Sequence, residues 1–187
     1  ITEGLVGSEM CIRDSGYPHK LISYLYNLVN MAENKKLLEV GCGRGDFLNA
    51  FSKMKLRTYG VDISDFAKEF CHNSEIKTAN LENELLPYGD NTFDYVYSKS
   101  LIEHFYYPEK IYREIFRVLK PGGVVITLTP HWKYIYKSFY EDYSHRTPFT
   151  IESIIDLQKI IGFTEIKATN FRQLPILWKF PFLTLLS

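Results

Sequence analysis

Three glycines follow a short apolar run and precede an acidic residue, in the stretch Lys36-Leu-Leu-Glu-Val-Gly-Cys-Gly-Arg-Gly-Asp46. Glycines in such a loop allow the backbone to approach a ligand closely. The dinucleotide fingerprint G-x-G-x-x-G needs a third glycine where Asp46 stands, and a carboxylate at that position repels a pyrophosphate. A phosphate loop fails too, because Asp46 and Phe47 replace its glycine and lysine. The stretch therefore predicts a nucleoside ligand without phosphates.

Asp62 ends the next apolar run, about 20 residues after the first of these glycines. An acidic residue at the end of a second strand, at that distance, is placed to bind the hydroxyl groups of a ribose. A sulfonium nucleoside satisfies both conditions, because it carries a ribose and no phosphate.

A strand, a loop and a helix are needed to position these residues. The hydrophobic periodicity predicts a doubly wound α/β fold, with a mostly parallel Rossmann-like sheet and helices on both faces. Thr150 is expected to cap the last helix and Gly162 to end it. The expected strands are 37–41, 57–62, 75–79, 92–97, 124–129 and 163–171, and the expected helices are 19–32, 46–54, 65–72, 108–119 and 150–161.

Composition narrows the class of protein. A length of 187 residues suits one domain, and 22 basic residues balance 22 acidic ones. This balance of charge gives no indication of a nucleic-acid partner, which would favour an excess of basic residues. The three cysteines (Cys11, Cys42 and Cys71) lack metal-binding spacing and favour a reduced, cytoplasmic protein. No apolar run is long enough for a transmembrane helix.

The stretch Leu37-Leu-Glu-Val-Gly-Cys-Gly-Arg-Gly45 resembles the first motif of class I S-adenosylmethionine-dependent methyltransferases. Three later stretches continue the resemblance in order, so that it covers the chain from about Lys36 to Asn170: Gly60-Val-Asp-Ile-Ser64, Phe93-Asp-Tyr-Val96 and Glu114-Ile-Phe-Arg-Val-Leu-Lys-Pro-Gly-Gly123. The resemblance implies methyl transfer from S-adenosylmethionine, an in-line displacement that depends mainly on positioning.

The resemblance implies a set of cofactor-binding residues. Gly41 and Gly43 correspond to the backbone under the methionine half, and Glu39 lies near the cofactor's ammonium group. Asp62, with Ile63 beside it, corresponds to the ribose site. The structural alternatives are that Glu39 holds the loop and that Asp62 caps a helix.

For the adenine, Asn80 matches the residue that reads the exocyclic amine, and Leu81 supplies a backbone N–H. Many members of the family carry Asp at the position of Asn80, and asparagine can accept the same hydrogen bond. Ser98 is expected to line the cleft near the sulfur. The alternatives are a turn-forming Asn80 and a solvent-facing loop serine at 98.

Two histidines are the candidate catalytic residues. Ile102-Glu103-His104 resembles a segment of ubiquinone-pathway O-methyltransferases, and a histidine can deprotonate a hydroxyl near neutral pH. His145 and Arg146 resemble a substrate-loop stretch of small-molecule methyltransferases. The alternatives are a histidine that packs on a cofactor lid and an ion pair that anchors the loop.

We expect no metal site. Some members of the family bind a metal through Glu-x-x-Glu-His and a distant histidine. Here Ser100 stands in place of the first glutamate, which leaves the site one ligand short.

The chain divides into three parts. Residues 1–16 have no core pattern and are expected to be a disordered or non-native leader, and 17–173 form the methyltransferase domain. The apolar tail 174–187 either packs across the sheet edge left by a missing final antiparallel strand or contacts a membrane interface. The chain is accordingly expected to be a C-terminally truncated fragment. The aromatic stretch 132–143 predicts a mobile lid, or alternatively core under a long loop.

The favoured function is methyl transfer to a small-molecule or lipid-linked acceptor, at oxygen. Enzymes that methylate amino groups of nucleic acids place Asn/Asp-Pro-Pro-aromatic after the fourth strand, where this chain has Ser98-Lys-Ser-Leu101. The alternative hypothesis is a non-catalytic or truncated S-adenosylmethionine-binding domain.

Overall fold

A five-stranded, entirely parallel sheet lies at the centre of the structure, a computed structural model that describes residues 16–171. The strands are β1 (Lys36–Val40), β2 (Arg57–Asp62), β3 (Ser74–Thr78), β4 (Phe93–Lys99) and β5 (Leu119–Leu128), in the order β3-β2-β1-β4-β5. The order reverses between β1 and β4, which is the point where doubly wound sheets bind ligands. The predicted fold class is confirmed.

Helices cover both faces of the sheet. Side chains alternate along a strand, so Leu37 and Leu38 of β1 belong to two different hydrophobic clusters. One cluster is closed by helices α1 (Tyr17–Leu28) and α2 (Asp46–Lys53), and the other by α3 (Pro108–Val118) and α5 (Ile151–Ile161). A short α4 (Trp132–Ile135) follows β5. No helix within 16–171 is both long and apolar enough to cross a lipid bilayer.

The ends of α5 are those that the sequence predicts. The Thr150 hydroxyl accepts a hydrogen bond from the Ser153 N–H at 3.2 Å, and the Ser153 hydroxyl accepts one from the Thr150 N–H at 2.9 Å. This reciprocal pair satisfies two donors that a helix start would otherwise leave free. Gly162 ends the helix with φ 114°, a left-handed conformation that favours glycine.

The predicted helix 65–72 and the predicted start of the strand 124–129 are wrong. Residues 65–72 form only a 3₁₀ turn, Phe66–Glu69, because the chain must reach the start of β3 at Ser74 within a few residues. Strand β5 begins at Leu119 and not at 124, since Leu119 already pairs with Phe93. The register then shifts before Val124 pairs with Tyr95, so Pro121 to Gly123 form an irregularity inside the strand.

The predicted strand 163–171 is absent from the structure, where the stretch is an irregular segment. Glu165 has φ 52°, which interrupts an extended chain. Phe163 packs edge-on against Tyr112 and Phe116 of α3, with ring centroids 6.2 and 5.0 Å apart. The segment therefore covers a helix and adds no strand to the sheet.

The predictions for the leader (1–16) and the tail (174–187) lie outside the described residues, apart from the exposed Gly16.

Gly45, at the start of α2, is the most constrained glycine of the loop. It has φ 84°, and a Cβ built on it would lie 2.1 Å from the Sγ atom of the buried Cys71. Only glycine avoids this contact, which brings α2 close to the loop before β3. Gly122 has a similar φ of 76°, but a Cβ there would meet nothing within 4 Å.

We predict that Gly45→Ala destabilises the fold more than Gly122→Ala does. Both changes cost about 1–2 kcal/mol for the left-handed backbone, and the steric overlap at Gly45 adds about 1–3 kcal/mol. Urea denaturation of the two variants measures the difference. Adding Cys71→Ala to Gly45→Ala should recover most of the steric part. Equal destabilisation by the two alanines would show that the loop relaxes around the methyl group.

Candidate functional site

The glycine loop after β1 is held against β2 by backbone hydrogen bonds. The N–H groups of Gly41 and Cys42 both donate to the carbonyl of Val61, at 2.8 and 3.2 Å. A Cβ on Gly41 would lie 2.8 Å from the side chain of Leu101, whereas a Cβ on Gly43 would meet nothing within 4 Å. The loop is therefore fixed on its inner side and open at Gly43.

Asp62, the last residue of β2, closes this loop. Its Oδ2 accepts a hydrogen bond from the N–H of Gly43 at 2.8 Å, and its Oδ1 accepts one from the N–H of Ser64 at 3.1 Å. The carboxylate has lone pairs left for a ligand, because each oxygen can accept two hydrogen bonds. Ile63 follows with 69% of its surface exposed.

Asn80 follows β3, which is tied to β2 by a hydrogen bond from the Ala79 N–H to the Asp62 carbonyl at 2.9 Å. The Asn80 Oδ1 accepts from the N–H of Glu82 at 3.1 Å, so this side chain shapes a turn. The turn-forming role weighed as an alternative is therefore present. One lone pair of the amide oxygen and both amide hydrogens remain for a ligand.

One cleft of about 290 Å³ lies at this edge of the sheet, just below the usual volume of small-molecule sites. Of the predicted site residues, Gly41, Asp62, Ile63, Asn80, Leu81 and His104 line it, whereas Gly43 and His145 do not. The other lining residues are Ala79, Glu82, Leu101 and Phe105. Sequence reasoning missed these four, which carry no signal of their own beyond their closeness to the motifs.

Glu39 and Ser98 do not line the cleft, but lie buried in the adjacent strands β1 and β4. Glu39 is 2% exposed, and its Oε2 has no hydrogen-bond partner; the Ser98 hydroxyl is fully buried and also has no partner. Burial raises the pKa of the Glu39 carboxyl well above its usual range, and the nearby Asp46 raises it further. The alternative of a solvent-facing Ser98 is wrong.

His104 ends a 3₁₀ turn (Ile102–His104) that follows β4, and the loop carrying His145 docks on that turn. The carbonyl of Glu103 accepts hydrogen bonds from the N–H groups of Arg146 and Thr147, at 2.8 and 3.0 Å. The Thr147 hydroxyl donates to the Phe105 carbonyl at 2.7 Å. As a result, the imidazole rings of His104 and His145 lie 4.9 Å apart, although 40 residues separate them in sequence.

Hydrogen bonds fix the protonated nitrogen of both imidazoles. The Nδ1 of His145 lies 2.7 Å from the carbonyl of Phe139, which can only accept, so Nδ1 carries the hydrogen. The Ser144 hydroxyl donates its one hydrogen to Asp142 at 2.5 Å and therefore accepts from the Nδ1 of His104 at 2.9 Å. Both Nε2 atoms keep a free lone pair in the neutral rings.

Glu103 is a functional candidate that sequence reasoning quoted only within a motif. It is fully buried, its Oε2 accepts from the Thr129 hydroxyl at 3.0 Å, and its Oε1 has no partner. Burial raises the pKa of its carboxyl. The sequence shows Glu103 next to His104. Its closeness to His145 depends on the fold and was not visible in the sequence.

The aromatic stretch 132–143 forms α4 and a 3₁₀ turn (Phe139–Glu141). Phe139 is 1% exposed and packs against Trp132 and His145, with ring centroids 5.4 and 4.5 Å apart. The tyrosines of the stretch are exposed: Tyr134, Tyr136, Tyr140 and Tyr143. The stretch is thus anchored by one ring, and the prediction that it moves as a lid stays a prediction.

Residues 38–127 match the family described as Methyltransferase domain. Sterol 24-C-methyltransferase of Schizosaccharomyces pombe is 34% identical over 111 residues, which cover 54% of this chain and 29% of that protein. An uncharacterized protein of Methanocaldococcus jannaschii is 31% identical over 141 residues, which cover 71% of this chain and 66% of that protein. The chain thus spans less than two thirds of either relative.

Phosphoethanolamine N-methyltransferase 2 of Haemonchus contortus, solved in complex with S-adenosyl-L-methionine, is also similar in structure. It superposes with a TM-score of 0.67 at 26% identity, over 81% of this chain and 38% of that one. Residues 38–127 therefore form a methyltransferase domain, and the ordered motifs, the 3-2-1-4-5 sheet and these matches are those of class I S-adenosylmethionine-dependent methyltransferases.

We predict that Asp62→Ala lowers affinity for S-adenosylhomocysteine by roughly ten- to a hundred-fold or more. A charge-assisted hydrogen bond contributes about 1.5–3 kcal/mol, and the substitution also frees the N–H of Gly43. Isothermal titration calorimetry measures the loss. Asp65→Ala is the matched control, because Asp65 is exposed and its carboxylate forms an ion pair with Lys68 at 3.7 Å, outside the cleft. Equal affinities of the two variants would place the ribose site elsewhere.

Proposed function

We propose that this protein transfers a methyl group from S-adenosylmethionine to an oxygen atom of a small-molecule or lipid-linked acceptor. One observation carries the proposal: His104 lines the same cleft as Asp62 and Asn80, and His145 packs against it. Groups able to take a hydroxyl proton therefore lie beside the site proposed for the nucleoside.

The nucleoside half of the cofactor is assigned to the open side of the cleft. Asp62 accepts hydrogen bonds from the ribose diol through the lone pairs that Gly43 and Ser64 leave free. Asn80 and the N–H of Leu81 bind the adenine edge. The open space at Gly43 supports this assignment, since a ligand can approach the backbone there without steric hindrance.

The methionine half is assigned to the loop above Glu39. A buried carboxylate oxygen without a partner is costly, and a cationic ammonium group would compensate it. The hydroxyl of Ser98, equally buried and unpartnered, lies on the neighbouring strand, where Ser98 pairs with Val40. Both side chains then act from beneath the loop and need not line the cleft.

The chemical step needs one proton acceptor. The acceptor hydroxyl loses its proton, its oxygen attacks the methyl carbon of the sulfonium, and the carbon–sulfur bond breaks. The products are a methyl ether, neutral S-adenosylhomocysteine and one proton. His104 and His145 present free Nε2 lone pairs for this proton, a role that contributes about 10²–10⁴-fold in rate.

Similar proteins are named for methyl transfer to different atoms: a carbon of a sterol in one case and a nitrogen of phosphoethanolamine in another. The choice of oxygen here rests on the two histidines alone. The proposal includes a lipid-linked acceptor, which peripheral membrane contact of the tail 174–187 would bring close to the site. Free, buried thiols at Cys42 and Cys71 support a reducing, cytoplasmic location.

We predict that the full chain binds S-adenosylhomocysteine and methylates hydroxyl acceptors in a radiolabelled panel of phenols, catechols and sugars. His145→Ala should lower kcat by about 10²–10⁴-fold while leaving affinity for S-adenosylhomocysteine within a few-fold. His72→Ala is the control, because His72 is exposed and lies outside the cleft. Failure of the folded protein to bind S-adenosylhomocysteine would overturn the proposal, and binding without turnover would favour the non-catalytic alternative.

A further inference from the structure

Glu103, His104 and His145 each place one ligand atom within 4.8 Å of those of the other two. We propose that these three side chains bind a divalent transition-metal ion, and that this ion binds the oxygen of the acceptor. The inference rests on the proposed function only for the second part, since the metal site itself is defined by the protein's own atoms.

The two histidines are oriented as metal ligands are. A ligating histidine usually donates its other ring N–H to a carbonyl or to a carboxylate-linked group, which fixes the tautomer. His145 donates to the carbonyl of Phe139, and His104 donates to Ser144, whose hydroxyl is held by Asp142. Each Nε2 is left with its lone pair available.

Glu103 supplies the negative charge. Its Oε2 is occupied by the Thr129 hydroxyl, but its Oε1 is buried without a hydrogen-bond partner. An unpartnered buried carboxylate oxygen is costly, and a cation is the partner that most fully compensates it. The oxygen without a partner therefore belongs to the carboxylate that lies beside the ligand atoms of His104 and His145.

The three side chains are held together by backbone contacts and not by the ion. The Glu103 carbonyl accepts the N–H groups of Arg146 and Thr147, which fixes the loop of His145 beside the turn of His104. Asp142 adds a further negative charge, with its Oδ2 3.7 Å from the Nε2 of His145. The site is therefore largely formed before any metal binds.

Two imidazoles and one carboxylate favour a first-row transition metal over magnesium or calcium. Imidazole suits zinc, copper, iron and nickel, whereas magnesium and calcium prefer oxygen ligands. Three protein ligands also leave positions open, as in catalytic zinc sites. The sequence-level expectation of no metal counted Ser100 as a missing fourth ligand, but a site that must admit an acceptor does not need one.

His104 also lines the cleft proposed for the nucleoside, so an ion held by this site would lie next to the place where methyl transfer would occur. An acceptor hydroxyl bound to the ion loses its proton to solvent at a lower pH than when free. Its oxygen then attacks the methyl carbon as the carbon–sulfur bond breaks. When the ion is bound, the two histidines act as its ligands, and their Nε2 lone pairs accept the proton only in the metal-free protein.

Cobalt(II) is the probe that tests the site. The full chain is freed of metal with EDTA, exchanged into buffer and titrated with Co²⁺, followed by calorimetry and by visible absorption. We expect one ion per chain, competition by Zn²⁺ and none by a ten-fold excess of Mg²⁺. His145→Ala should abolish binding, and Ser144→Ala, which only orients His104, should weaken it about 10–100-fold. His72→Ala is the matched control and should bind like the original protein.

Affinity for S-adenosylhomocysteine, measured on each variant, shows that the fold is intact and reports on the proposed function independently. Absence of cobalt binding, or equal binding by His145→Ala and the original protein, would overturn the metal site. Methyl transfer that continues undiminished in EDTA would remove the metal from the reaction while leaving the methyltransferase function in place. Cobalt binding without any binding of S-adenosylhomocysteine would support the metal site and overturn the proposed methyltransferase function.

Discussion

The parallel pairing of β1 between β2 and β4 is the constraint on which the whole site depends. Val40 pairs with Val61 on one side and with Ser98 on the other, so three strands end at the same edge of the sheet. The chain leaves β1 and β4 toward opposite faces, which opens a gap between them. The glycine loop, the carboxylate of Asp62 and the turn of His104 all border this gap.

A single carbonyl extends the site beyond the sheet. Glu103 accepts two backbone hydrogen bonds from the loop that follows the aromatic stretch, and this contact brings His145 to His104. Phe139 secures the loop from the other side, since it is buried and its carbonyl receives the Nδ1 hydrogen of His145. The loop of His145 is therefore held against the turn of His104 by backbone contacts, although neither segment belongs to the sheet.

One side of the cleft could be predicted from the sequence because its signal is local. The spacing between the glycine loop and Asp62 predicted that Gly41 and Asp62 lie close together at the ends of two strands, and both line the cleft. The other side depends on contacts between distant residues, so neither the closeness of His104 and His145 nor the burial of Glu103 could be predicted. The wrong strand at 163–171 has a similar cause: Phe163 packs on Tyr112 and Phe116, and that tertiary contact outweighs a weak strand pattern.

Buried polar atoms without partners are concentrated around this gap. Among residues 16–171 six side-chain atoms are of this kind, and four of them belong to β1, β4 and the turn after β4: Glu39 Oε2, Tyr97 OH, Ser98 Oγ and Glu103 Oε1. Each such atom costs about 1–3 kcal/mol relative to a satisfied one. A fold maintains that cost only where the rest of the structure compensates it, as the two hydrophobic clusters on either face of β1 do here. The polar atoms are thus held dehydrated and oriented before any ligand arrives, and this preorganisation is what a reaction driven by positioning requires.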